Sequence, residues 1–148
     1  YDFTYGEHEF DLTLAGTKVN ELNQFNDPLN PEAVDVELGE VQRPEWAGNF
    51  NLEWTTGDLT VGWQTQYQGE QLVNFVEIDT AMSRYGSAVF MDEVYLHDVN
   101  FSYQLSDELL VYGGVNNLTD EEPFITSYAT PVSIRGRYFF LGLNFSIE

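Results

Sequence analysis

Trp46-Ala-Gly-Asn-Phe-Asn-Leu-Glu-Trp54-Thr-Thr-Gly-Asp-Leu-Thr-Val-Gly-Trp63-Gln-Thr-Gln-Tyr-Gln68 reads as two strands joined by a turn. Side chains of a strand point alternately to its two faces. Trp46, Gly48, Phe50, Leu52 and Trp54 therefore share one face, and Ala47, Asn49, Asn51 and Glu53 share the other. Thr56-Gly57-Asp58 carries turn residues, after which Leu59, Val61, Trp63, Thr65 and Tyr67 oppose Thr60, Gly62, Gln64, Gln66 and Gln68. The segment is a tight hairpin with one apolar and one polar face.

The same alternation recurs on both sides. Near Glu7 to Ala15, Phe10, Leu12 and Leu14 oppose Glu9, Asp11 and Thr13. A strand from about Glu93 to Leu105 sets Tyr95, Val99, Phe101, Tyr103 and Leu105 on one side, and Ser106-Asp107-Glu108 turns it into Leu109 to Asn116. Arg137 to Ile147 carries Phe139, Leu141, Leu143, Phe145 and Ile147 on one face, with Tyr138 and Phe140 breaking the polarity of the other. The expectation is six antiparallel strands. The chain opens Tyr1-Asp2-Phe3-Thr4-Tyr5, as though already inside a strand, which suggests a piece of something larger.

The connections alternate in length: long over 19–44, short over 56–58, long over 70–92, short over 106–108, long over 117–136. In an up-and-down sheet, alternate connections lie at the same end, so every long loop emerges on one side. Outer-membrane barrels have this asymmetry, with short periplasmic turns and long extracellular loops, whereas a soluble sandwich has no reason to keep it. Trp46 to Trp54, at about 3.4 Å per residue and tilted by about 40°, rises about 20 Å, close to the apolar band of such a barrel, with a tryptophan at each edge. Backbone groups in lipid must all be paired, so the sheet has to close, and six strands are too few. Further strands are expected from elsewhere.

Composition narrows the function. Twenty-five Asp and Glu against five Lys and Arg give a net charge of −20, which repels a phosphate backbone and excludes nucleic acid as a partner. With 11 Phe, 9 Tyr and 3 Trp the chain is too aromatic for an acidic disordered segment. Cysteine is absent, which removes disulfides and thiol chemistry together. The longest apolar run, Tyr138 to Leu143, is far short of the roughly 20 residues of a membrane helix.

No catalytic group assembles. His97 and Asp98 are neighbours and point to opposite faces, and His8 is likewise separated from Glu7 and Glu9, so each reads as an ordinary strand residue. Glu21, Asp27, Glu32, Asp35, Glu37 and Glu40 make the first long loop acidic. Within it, Asp27, Glu32, Asp35 and Glu37 are candidates for a divalent cation such as Ca2+, bridging to lipopolysaccharide or drawing in a metal chelate; the plainer reading is a solvated acidic surface. Tyr85, Phe90, Phe124 and Tyr128 in the other long loops are candidates for stacking on a sugar or chelate, against simple loop packing. Asn49, Asn51, Glu53, Gln64, Gln66 and Gln68 suit a hydrated lumen.

Leu110-Val-Tyr-Gly-Gly-Val-Asn-Asn-Leu-Thr-Asp120, Pro123-Phe124 and Gly136-Arg-Tyr-Phe-Phe-Leu-Gly-Leu-Asn-Phe-Ser-Ile147 together resemble the last two strands of TonB-dependent outer-membrane receptors. In that family an apolar strand ends in Asn-Asn-Leu-x-Asp, and the closing strand starts Gly-Arg-aromatic. The ending Phe145-Ser-Ile-Glu148 departs from the family's usual terminal aromatic residue. The resemblance implies an all-β, antiparallel, up-and-down transmembrane barrel of about 22 strands. Residues 1–148 would supply its C-terminal part, and the plug and other strands would lie outside this sequence.

It also implies an outer-membrane location, coupling to the TonB complex through an absent N-terminal part, lipid and lipopolysaccharide around the barrel, and energised uptake of a scarce siderophore, cobalamin or oligosaccharide. Neither enzyme activity nor a cofactor is expected. The short turns and the C-terminus would be periplasmic. Two rivals fit the residues less well: a soluble secreted β-sandwich that binds glycans, and a passive outer-membrane pore.

Overall fold

The computed structural model describes residues 1–73, 75, 78–123 and 132–146. In chain order the elements are β1 (Asp2–Tyr5), β2 (His8–Lys18), β3 (Asn23–Phe25), β4 (Val34–Val36), β5 (Trp46–Thr56), β6 (Leu59–Gln68) and β7 (Gln71–Leu72). They continue with α1 (Ile78–Tyr85), a 3-10 turn at Gly86–Val89, β8 (Phe90–Met91), β9 (Val94–Ser106), β10 (Leu109–Asn116) and β11 (Tyr138–Phe145).

One antiparallel seven-stranded sheet organises the molecule, in the order β1-β2-β5-β6-β9-β10-β11. Every neighbour in that order is also the next main strand in sequence, which is a pure meander. The sheet is open, with β1 and β11 at its edges.

The sheet has one strand more than the six expected. β1 pairs with β2 from Asp2↔Asp11 to Tyr5↔His8 around a turn whose Gly6 takes a φ of 64°. Only a residue without a side chain adopts that conformation freely, so Gly6 lets the four residues Asp2 to Tyr5 fold back as a strand. The extra turn keeps the rhythm: Gly6-Glu7, Gly57-Asp58 and Asp107-Glu108 close the sheet at one end, and all long connections leave from the other.

The long connections carry structure of their own. The first holds the β3–β4 hairpin, and the second holds β7, α1, the 3-10 turn and β8. The buried apolar residues that are described, Val41, Leu72, Ala81, Val89, Met91, Val94 and Val132, all belong to this end of the molecule. The body of the sheet has none. Leu14 is 79% exposed, Phe139 76% and Leu141 74%. Trp46, at 48%, is not enclosed either.

Register confirms the alternation and corrects it at one place. Leu110 pairs with Gln104 while Leu109 pairs with Ser106, so Leu105 is an extra residue in a bulge and leaves the expected face pattern. At β10 and β11, the rings of Tyr112 and Phe140 lie where a Cβ of Gly142 and of Gly114 would stand, each glycine facing the aromatic residue that is its direct partner. An aromatic ring laid over a strand glycine restores the packing that the missing side chain forfeits. No helix among the described residues is long and apolar enough to cross a membrane.

Candidate functional site

Cross-strand partners share a face, so the register shows what each face presents. One row runs Leu12, Leu52, Trp63, Val99, Val115, Phe139; the next runs Phe10, Trp54, Val61, Phe101, Gly113, Leu141. The apolar face is therefore continuous from β2 to β11. Two pairs of its polar groups bond one another. Trp54 Nε1 donates to His8 Nδ1 at 3.2 Å, and Thr65 Oγ1 shares a hydrogen bond of 2.8 Å with His97 Nδ1, whose ring meets the edge of Trp63. A side chain in water has no need of such a partner, whereas one facing an apolar medium does.

The opposite face places Asn49 across from Gln66, Asn51 from Gln64, Glu53 from Gly62 and Ala47 from Gln68. All six residues singled out from sequence, Asn49, Asn51, Glu53, Gln64, Gln66 and Gln68, thus lie side by side. A shallow depression of about 330 Å³ runs between Asp11, Asn51, Glu53, Gln64 and Asn100. Asp2 stands opposite Asp11, and Asp11 opposite Glu53, so this surface is acidic toward the short-turn end.

His97 and Asp98 do face opposite ways. On the polar side, Asp98 accepts hydrogen bonds from Asn116 Nδ2 at 3.1 Å and from the Asn117 backbone N–H at 2.8 Å. Asn117 is 6% exposed with a φ of 54°, and its side-chain amide bonds both backbone groups of Glu121, at 2.7 and 2.8 Å. Asp120 accepts from the Arg137 N–H at 2.9 Å and stands 3.7 Å from its guanidinium. The Asn-Asn-Leu-x-Asp and Gly-Arg motifs form one latch that fastens the third long connection to the sheet. From sequence, Asp98 reads as an ordinary strand residue. The Val99↔Val115 register, which brings Asp98 beside Asn116, was the missing signal.

A second lock joins the first two long connections. Leu72 N–H donates to Gly39 C=O at 2.7 Å, and Gln42 N–H to the buried Gln71 Oε1 at 2.6 Å. Arg43 pairs with Glu40 at 2.7 Å and Glu37 at 3.2 Å, and lies over the Phe75 ring at 5.3 Å. Burial pushes the Glu40 carboxyl above its ordinary pKa; Arg43 opposes this, and Asp35 and Glu37 add to it. Sequence gave no sign of Gln71, a polar residue that neither periodicity nor charge distinguishes.

The ligand-stacking candidates are not brought together. Tyr85 is exposed at the end of α1, and Phe90 packs against Leu72, Ala81 and Val89. Phe124 and Tyr128 lie outside the described residues. Three of the four cation candidates also have other occupations. Asp27 Oδ1 accepts from Leu29 N–H, Asp35 accepts from Asn26, and Glu37 pairs with Arg43. No group of three or more His, Asp or Glu converges on a metal-sized site among the described residues.

No protein-family model matches the sequence, and no curated protein does. Among solved structures, the chain superposes on the ferric enterobactin receptor of Pseudomonas aeruginosa in a variant bound to enterobactin, with a TM-score of 0.54 and 17% identity over 95% of this chain. Two further variants of that receptor match with a TM-score of 0.54 and 16% identity over 97% of the chain. The chain spans about a fifth of those receptors, 20% of the length in the enterobactin-bound one. Its meander, with an apolar face and one end of long connections, is the fold of a stretch of a ferric enterobactin receptor.

Proposed function

We propose that residues 1–148 form the C-terminal part of the transmembrane barrel of a TonB-dependent receptor in a bacterial outer membrane. The carrying observation is the apolar face that crosses the sheet from β2 to β11 with no protein layer over it among the described residues. Covering a large apolar side chain stabilises by about 1.5–3 kcal/mol, and lipid provides that cover for the whole face at once. Strands outside this sequence complete the hydrogen bonds of β1 and β11, and a plug fills the lumen lined by Asn49, Asn51, Glu53, Gln64, Gln66 and Gln68. The long connections are extracellular, the short turns periplasmic. The chain transports and does no catalysis.

The cargo class is a scarce nutrient, with a ferric siderophore favoured over cobalamin or an oligosaccharide because the structural neighbour is a ferric enterobactin receptor. Its uptake is driven through the TonB complex, which engages the plug side of the receptor. The test uses the whole receptor in cells. A cysteine placed at Leu29 reacts with a membrane-impermeant maleimide in intact cells, one placed at Asp107 reacts only after lysis, and the protein leaves the outer membrane only with detergent. Recovery in buffer without detergent overturns the reading. Loss of ferric siderophore uptake on deleting the gene, and on collapsing the proton gradient, checks the cargo.

A further inference from the structure

The face turned away from lipid changes character along the sheet. One row across it runs Thr13, Asn51, Gln64, Asp98, Asn116, Tyr138. Around Asn51 and Gln64 the wall is made of side-chain amides, and none of Asn49, Asn51, Gln64 and Gln66 bonds another side chain among the described residues. Around Tyr138 the same face is apolar: Leu110 and Tyr112 of β10 are followed, toward the long-connection end, by Phe140 and Tyr138 of β11.

The rings of this strip are fixed in place. Tyr112 lies over Gly142 and Phe140 over Gly114, each seated in the gap that its partner glycine leaves. A ring already held in one position loses little freedom when it is covered, which makes such side chains good anchors of protein interfaces. Tyr112 is 41% exposed although β9 and β11 flank it on both sides, so its bare surface points away from the sheet. A strand added beyond β11 stands beside Tyr138 and Phe140 and does not roof them, since cross-strand side chains point the same way. The chain spans 20% of the enterobactin-bound receptor, and in the reading above it is a part outside this chain, the plug, that fills the lumen and faces both sections of the wall. Its two attachments are unequal. Leaving the strip returns apolar rings to water, at a cost that grows with their area, whereas leaving the amides exchanges protein hydrogen bonds for water at little net cost.

We propose that the plug is anchored on the β10–β11 strip through apolar side chains of its own and gives way along the amide wall of β5 and β6, so that the route through the barrel opens on that side. The inference rests on the membrane reading above.

The experiment uses the whole receptor, purified from outer membranes in mild detergent, with a maleimide as the probe. Gln64→Cys and Tyr138→Cys are reporters in one row and therefore at one depth, three interstrand spacings or about 14 Å apart, and Tyr138→Cys leaves Tyr112 and Phe140 in place. Labelling is read by mass spectrometry on the peptide that carries the reporter, each rate divided by that of the same reporter in urea-unfolded protein. On that scale Gln64→Cys reacts about tenfold faster than Tyr138→Cys. Phe140→Ser, which removes one ring of the strip, raises the Tyr138→Cys rate about fivefold and leaves the Gln64→Cys rate unchanged. Equal rates at the two reporters, a faster rate at Tyr138→Cys, unfolded rates at both, or no response of Tyr138→Cys to Phe140→Ser overturn the anchoring and leave the membrane reading intact. The comparison of the two reporters decides by itself if Phe140→Ser does not fold. A receptor recovered in buffer without detergent overturns the membrane reading instead, before any reporter is compared.

Discussion

Asn117 shows how one residue can do two jobs that no other does together. Its backbone is left-handed, a conformation that costs an ordinary L-residue about 1–2 kcal/mol and that asparagine tolerates. Its amide closes the turn by bonding both backbone groups of Glu121. Asn117→Ala keeps neither advantage, and leaves the Glu121 N–H without its acceptor in a half-buried place. The expected loss of local stability is about 2–4 kcal/mol. Asn117→Gly restores the backbone without the bonds and falls between Ala and wild type. Hydrogen exchange at the Leu118 and Glu121 amides measures the order; equal protection in all three proteins would refute the latch.

The strands were legible at the level of elements because their alternation is a direct image of burial on one side. Trp46 to Trp54 and Leu59 to Gln68 could be read from polarity alone, and their faces agree with the register. β1 was harder, since four residues give two alternations and only Gly6 betrays the turn. Long connections hid more. α1 is a short helix with a single described buried residue, Ala81, and β7 and β8 have two residues each, too few for any period to show. Their packing depends on partners distant in sequence, as Val41 and Gln71 do. Within this cap, Glu40 sets a pH dependence. Its folded pKa lies above the ordinary carboxylate value, so the folded cap takes up a proton that the unfolded cap releases. Stability of the cap therefore rises as pH falls from 7 toward about 4.3, and the gain is lost again on raising pH through the folded pKa. Glu40→Gln flattens this profile and leaves Arg43 to Glu37. Hydrogen exchange of the Gly39 to Arg43 amides against pH, with each rate corrected for intrinsic exchange, follows it; an unchanged slope in Glu40→Gln counts against the buried carboxyl.

Across the whole molecule, two properties that a soluble domain keeps apart occur together: a sheet whose body has no buried apolar side chain among the described residues, and pairs of polar residues on its apolar face that bond one another. The first is what the proposed barrel expects, with lipid supplying the burial. The second fits a medium that offers no hydrogen bonds, as His8 with Trp54 and Thr65 with His97 illustrate. Neighbours in sequence then have opposite sensitivities, which makes Leu52 and Asn51 a decisive pair. Leu52 lies midway along β5 between Leu12 and Trp63, while Asn51 faces the other way among Thr13 and Gln64. An arginine in place of a residue that faces lipid near the midplane costs about 2–4 kcal/mol, whereas on a hydrated lumen the cost stays within about 0.5 kcal/mol. Leu52→Arg should therefore unfold at a markedly lower urea concentration than wild type when the whole receptor is folded into phosphatidylcholine vesicles, and Asn51→Arg should not. Water on both faces predicts similar small losses for the two variants, and lipid on the polar face predicts the larger loss at Asn51. The sign of the difference between these two adjacent positions thus identifies what each face touches.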